Sequence, residues 1–280
     1  MPRPLVTPSQ PRSALVTGAA RGIGRAVAAE LVTRGYQVVV TDVDAADAAR
    51  TAAEIGAVEG FALDVTDEQA NRAAAARTAA IAPLGAWVCN AGVLFEGDLV
   101  DLTSDQIRLQ FDVNVLGVAW GVRAAAEVFR QQAASGVTGG EIGILASLSA
   151  HAPVPGLSAY AATKAAVLSL ATSLATELLP DGIGVHAVCP DGVATAMVDG
   201  MVPGGGARQA LAGGVMLTPE KVATSLVDMF GTKRVYRTLP AWRGVLGRLM
   251  STMPGPARPL DRLSRRIGAH RLRRAERRGH

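Results

Sequence analysis

Cysteine, histidine and aromatic residues are all scarce in this chain, and each scarcity excludes a class of protein. The two cysteines, Cys89 and Cys189, are too few for a disulfide framework, so a reduced cytoplasmic setting is expected. The histidines, His151, His186, His270 and His280, are scattered. None lies at metal-ligand spacing with a cysteine or a carboxylate, and no metal is expected. Aromatics make up 4% of the 280 residues, and there are three tyrosines, Tyr36, Tyr160 and Tyr236. Alanine and valine carry the apolar content instead, which favours close packing of helices on a sheet. No run of about 18 uncharged apolar residues exists, so no transmembrane helix is expected. The proline-rich residues 1–12 lack the apolar run of a signal peptide. What is present is a 49% hydrophobic, 19% charged chain, which excludes wholesale disorder and allows a sizeable core.

Charge is unevenly placed. The net charge is +4, yet nine arginines from Arg258 onward oppose only Asp261 and Glu276. The bulk of the chain is therefore slightly acidic and its tail strongly basic.

Apolar runs alternate with stretches of helical periodicity. Strands are expected at 14–17, 37–41, 58–63, 86–89, 141–146, 184–189 and 233–239. Helices are expected at 22–34, 44–55, 67–82 and 157–179, with one or two over 104–135. Thr218 and Pro219 can cap and open a further helix to Phe230. Alternating strands and helices imply parallel βαβ units and a doubly wound α/β sheet. Strands that are apolar throughout fit a sheet covered on both faces. Residues 197–215, with Gly204, Gly205 and Gly206, read as a loop or lid. The chain divides into a flexible tail (1–12), a catalytic domain (13–239) and a C-terminal helical extension with a basic tail (240–280).

Gly18, Arg21, Gly22, Ile23 and Gly24 lie between the first strand and the first helix. Glycines there let backbone approach a pyrophosphate, and a helix N-terminus offers free N–H groups and partial positive charge. Asp42 ends the second strand, 18 residues beyond Gly24. A carboxylate there can accept from ribose hydroxyls and repels a 2′-phosphate, favouring NAD over NADP. Arg21 points the other way, because a basic residue in the turn can pair with a 2′-phosphate.

The spacing Gly18-x3-Gly22-x-Gly24, with Asn90-Ala91-Gly92 and Tyr160-x3-Lys164, resembles the short-chain dehydrogenase/reductase family over roughly residues 13–230. The resemblance implies a Rossmann-type sheet with helices on both faces. It also implies that Gly18, Arg21, Ile23 and Gly24 line the pyrophosphate and ribose. Asp64 and Val65 would flank the adenine, and Asn90, Ala91 and Gly92 would close the cofactor floor. Pro190, Val193 and Thr195 would hold the nicotinamide carboxamide. Asn114, Ser147, Tyr160 and Lys164 match the catalytic tetrad. A homodimer or homotetramer through the long helices is implied as well. Two departures stand out: Cys89 replaces a frequent asparagine, and Asp191 replaces the glycine that usually follows Pro190.

The chemistry of the four residues is coherent. Tyrosine, with a reference pKa of about 10, is a poor base near neutrality. An ammonium one helical turn away favours the phenolate, so Lys164 is expected to lower Tyr160. Tyr160 can then take a proton from an alcohol or give one to a ketone. Ser147 can hydrogen-bond the substrate oxygen; Ser149 is the competing serine. In the family, Asn114 holds a water linking Lys164 to solvent. Cys189 has no His or Asp partner at a recognised spacing and reads as a buried thiol.

Leu148, His151, Val154, Leu157 and the 197–215 loop are the candidates to face substrate, which suggests an apolar or bulky alcohol or ketone. His151 reads equally as an ordinary loop histidine. The leading reading is therefore an NAD(H)-dependent alcohol/ketone oxidoreductase. The alternatives are an NADP(H)-dependent 3-oxoacyl-thioester reductase and a non-catalytic dinucleotide-binding protein. Leu260, Leu263 and Ile267, interleaved with arginines, suit a helix on an anionic membrane surface, or one docked on its own domain or a partner subunit. Nucleic acid is not expected as a partner.

Overall fold

The computed structural model describes residues 11–151, 154–195 and 216–252. The tail at 1–10, the expected loop at 197–215 and the basic segment from 253 onward lie outside the described residues.

Seven strands form one parallel sheet: β1 (Ser13–Thr17), β2 (Gln37–Asp42), β3 (Glu59–Ala62), β4 (Leu84–Cys89), β5 (Gly140–Leu145), β6 (Ile183–Pro190) and β7 (Tyr236–Leu239). Their order is β3-β2-β1-β4-β5-β6-β7. The order reverses between β1 and β4, and in such sheets ligands bind outside the carboxyl ends of the strands at that reversal. Every residue of β1 and β4 is buried, as strands covered on both faces require.

One face of the sheet carries α1 (Gly22–Thr33), α2 (Ala45–Ile55) and α7 (Pro219–Val227), packed around Val16, Val27, Leu31, Val40 and Leu226. The other carries α3 (Glu68–Ile81), α5 (Gly117–Ala134) and α6 (Ser158–Glu177), around Leu15, Trp87, Phe129, Ile142 and Val167. Asp44 caps α2 through Ala46 N and Asp47 N, and Asp67 caps α3 through Gln69 N and Ala70 N. Thr103 and Gln106 form a reciprocal capping box on α4 (Ser104–Phe111). Thr218 caps α7, with Pro219 in its first turn. That helix stops at Val227 rather than Phe230, and β7 starts three residues later than expected, because residues 228–232 form turns.

The expected helical stretch over 104–135 is continuous but not uniform. A π turn, Asp112–Leu116, joins α4 to α5. Asn114 sits in this turn. Single π turns inside α-helices re-aim side chains and are frequent at functional sites. The C-terminal extension begins as α8 (Ala241–Thr252), laid against β7. A Cβ on Gly244 would lie 2.7 Å from Thr238 Cγ2, so glycine there lets the helix approach the strand. Among the described residues no helix is long and apolar enough to cross a membrane.

Candidate active site

The glycine turn follows β1 at the sheet's reversal. Gly18 and Gly22 have φ of +60° and +58°, in the left-handed region that suits glycine. A Cβ on Gly24 would lie 2.3 Å from Asn90 Nδ2, and one on Gly18 would lie 2.7 Å from Ala91 Cα. Two of the three glycines thus let the turn seat on the Asn90-Ala91 loop. Asn90 Nδ2 donates to the carbonyls of Thr17 and Gly18, both at 2.8 Å. Thr17 Oγ1 accepts from the N–H groups of Asn90 and Ala91 at 3.0 and 3.1 Å. Sequence reasoning did not assign Thr17 this role, although it directly precedes the first glycine.

Asp42 reaches the same turn, its Oδ2 accepting from Ala20 N at 3.1 Å. Thr51 donates to Ala20 O at 2.8 Å from the other side. Arg21 is exposed, and no side chain caps α1, so the N–H groups of its first turn have no side-chain partner. This open, glycine-lined helix start fits a pyrophosphate. Ile23 packs partly buried on the α1 face of the core. Asp64 accepts from Thr66 N and Thr66 Oγ1, while Val65 is buried in the core. Beyond β6, Val193 pairs with Leu217, and Thr195 lies next to Gly22, so Pro190–Thr195 runs back over the glycine turn.

The four polar residues of the catalytic motif come together at the carboxyl ends of β4 and β5. Asn114 is fully buried: its Oδ1 accepts from Val93 N at 2.8 Å, and its Nδ2 donates to Val93 O and Thr163 Oγ1. Thr163, one residue before Lys164, returns a 2.7 Å bond to Tyr160 O. It is a second positioning residue that sequence reasoning passed over. Gly92 stands beside both Asn114 Oδ1 and Lys164 Nζ. Lys164 is buried, donates to Leu145 O at 2.8 Å, and places Nζ 5.6 Å from the Tyr160 ring centre. The Ser147 hydroxyl acts on the Tyr160 phenol, and it accepts from Ser149 N at 3.2 Å, so Ser147, not Ser149, faces the tyrosine.

The electrostatics differ from expectation. Burial pushes the Tyr160 phenol up to about 12, against the downward pull of the Ser147 hydroxyl. Burial also pulls the Lys164 ammonium down to about 8. Lys164, expected to lower Tyr160, is not among the groups that shift the phenol; desolvation dominates at both residues. In this environment Tyr160 holds its proton near neutrality. Leu94, Val154 and Leu157 cluster with Tyr160 and give the phenol an apolar flank.

Asp191 does not aim an unpaired carboxylate into the site. Its buried side chain forms an ion pair with Arg243 of α8. Burial raises its pKa, while Arg243 and Gly192 N pull it down. His151 is buried as well, with Nε2 3.3 Å from Thr238 Oγ1 and 3.5 Å from Arg248 of α8. Burial and Arg248 hold His151 below the usual histidine range. Cys89 is buried in the core near Trp87 and α5, so the departure at that position is one of packing.

The comparisons with known proteins agree with this geometry. The family model for short chain dehydrogenase matches residues 12–204. The chain belongs to the short-chain dehydrogenase/reductase family, whose members are oxidoreductases acting on alcohol groups with NAD(H) or NADP(H). It is 38% identical over 188 residues to the probable oxidoreductase EphD of Mycobacterium tuberculosis, a match covering 65% of this chain and 31% of that longer protein. It is 36% identical over 181 residues to the sorbitol dehydrogenase of Cereibacter sphaeroides, covering 64% and 69%. A solved 3-ketoacyl-(acyl-carrier-protein) reductase from Brucella melitensis, complexed with NADH, superposes with a TM-score of 0.73 at 28% identity. That superposition covers 81% of this chain and 96% of the reductase.

Proposed function

We propose that this chain is an NAD(H)-dependent oxidoreductase interconverting a secondary alcohol and a ketone, on an apolar or bulky substrate. The observation that carries the reading is the convergence of Ser147, Tyr160, Lys164 and Asn114 beside Gly92, with Leu94, Val154 and Leu157 flanking the phenol. When bound, the dinucleotide supplies the hydride chemistry. The protein's own residues supply position and the proton. Tyr160, protonated at neutrality, donates to the ketone oxygen in reduction; in oxidation it takes the alcohol proton as a phenolate, after its own proton has left by the route to solvent. Ser147 hydrogen-bonds the same oxygen and steadies its charge. Lys164 and Asn114 hold the cofactor side of the pocket and the proton route.

The cofactor residues would be Gly18, Arg21, Gly22, Ile23 and Gly24 at the phosphates, and Asp64 and Val65 at the adenine. Asn90, Ala91 and Gly92 would form the floor, with Pro190, Val193 and Thr195 at the carboxamide. Asp42 at the glycine turn supports NAD over NADP, because a 2′-phosphate there would face its charge. The exposed Arg21 favours the NADP-dependent thioester reductase reading. Residues 13–239 would be the catalytic unit, with 240–280 appended. Leu109, Phe111 and Leu116, exposed along α4 and the π turn, support self-association through these helices. Two buried unpaired thiols suit a reducing cytoplasmic setting.

The test is a screen of secondary alcohols and ketones followed by NADH absorbance. Tyr160→Phe should lower turnover about a thousandfold or more while cofactor affinity stays within a few-fold. Unchanged turnover refutes the mechanism. Asp42→Ala should relax the preference for NAD over NADP; wild type preferring NADP refutes the cofactor assignment.

A further inference from the structure

Helix α8 is amphipathic in the reverse sense for a helix packed on its own domain. Its inward face carries glycine and arginine: Gly244 and Gly247 are buried, Arg243 pairs with Asp191, and Arg248 lies 4.9 Å from the Tyr236 ring. Its outward face is apolar. Trp242, Val245, Leu246 and Leu249, at spacings of three, four and seven, form one stripe and are 61%, 58%, 45% and 61% exposed. No charged residue of the helix is fully exposed among its described side chains. Four large apolar side chains side by side in water mark a surface that something else covers.

Charge indicates what covers it. Residues 253–280 follow directly and hold nine arginines against Asp261 and Glu276, a net +7. The whole chain carries +4, which leaves −3 on the rest. A net +7 directly following an apolar stripe in the sequence is complementary to an anionic lipid surface, where acyl chains receive the stripe and headgroups attract the arginines. The negative body is repelled from the same surface, so contact is confined to this end of the molecule. Trp242, at the start of the stripe, is a residue type favoured at lipid–water boundaries. A second copy would bring two +7 segments together, which opposes it as the occupant.

We infer that the outward face of α8 docks this protein peripherally on anionic membranes. The test uses the full chain and vesicles of phosphatidylcholine with and without about 30% phosphatidylglycerol. Wild type should cosediment with the anionic vesicles, at least tenfold less with neutral ones, and less in high salt. Replacing Trp242, Leu246 and Leu249 by Gln should lower anionic binding by about tenfold or more, because each buried apolar side chain is worth roughly that in partition. Its melting temperature and its NAD-linked turnover of a soluble alcohol should stay as in wild type, which separates this result from failure of the proposed reaction. A second readout needs only a conservative substitution: brominated acyl chains should quench wild-type fluorescence, and Trp242→Phe should remove the quenched component. Absence of vesicle binding overturns the proposal, as does binding unaffected by the triple substitution. A wild-type dimer that the triple substitution dissociates, without vesicle binding, assigns the stripe to a second copy and overturns it too.

Discussion

At the scale of single residues, the candidate site is organised by desolvation. Lys164 is buried and titrates near 8 instead of 10.5. Below pH 8 both folded and unfolded chains hold this proton, and the fold bears the full cost of the buried charge. Between pH 8 and 10.5 only the unfolded chain keeps it, so stability rises with pH across that window. Tyr160, raised to about 12, has the opposite effect, beginning only above pH 10. Lys164→Met should therefore raise the melting temperature by several degrees at pH 7, with the gain shrinking towards pH 10, while turnover collapses. A variant less stable than wild type at pH 7, in calorimetry, would show that the bond to Leu145 O outweighs the buried charge. The desolvation itself was not legible in the sequence. The Tyr160 and Lys164 spacing shows that they share a helix face, and invites the conclusion that the cation lowers the phenol. How dry that face is depends on β5, the π turn and Leu157, which only the folded chain brings together.

At the scale of elements, periodicity and end signals carried most of the information. The apolar runs of β1, β2, β4, β5 and β6 and the helices between them stand within a few residues of where hydrophobic spacing puts them. Asp44, Asp67 and Thr218 mark helix starts through chemistry local to each end. The π turn at Asn114 left no such mark, because one extra residue in a helical turn barely alters an apolar pattern. The partner of Asp191 was equally hidden, since Arg243 lies on an element joined to it only by the fold. This pair fastens α8 beside the strip from Pro190 to Thr195. Its two halves are unequal, as the Asp191 side chain is 3% exposed and that of Arg243 21%. Arg243→Ala strands a buried carboxylate and should cost about 2–4 kcal/mol. Asp191→Asn leaves a guanidinium that can reach water and should cost about 1 kcal/mol. Denaturant melts of the two variants and their double mutant give the coupling directly. Equal costs would mean that the helix is held by the Gly244 contact with Thr238 and not by the ion pair.

At the scale of the whole molecule, the two cysteines report on how the sheet opens. Cys89 ends β4 and Cys189 lies near the end of β6, with β5 between them, and both are buried in the core cluster that also holds Trp87 and Ile142. Burial pushes each thiol up to about 12, so almost no thiolate exists at pH 8 and reagent has little access. Labelling must wait for an opening event. If the sheet opens as one cooperative unit, a maleimide at pH 8 modifies both thiols at the same rate, set by global unfolding. A dinucleotide bound across the carboxyl ends of β1 and β4, as proposed, would stabilise that unit. NADH at a hundred times its Kd should therefore slow both reactions by about a hundredfold. Peptide mapping of partly labelled protein measures the two rates separately. Cys189 sits beside β7, which α8 holds in place, and so tests that edge. Cys189 reacting ten times faster than Cys89 would show that β7 and α8 open on their own, and cofactor would then slow it less than Cys89. Equal rates with equal protection would make the strip beyond β6, the glycine turn and the catalytic helix parts of a single cooperative structure.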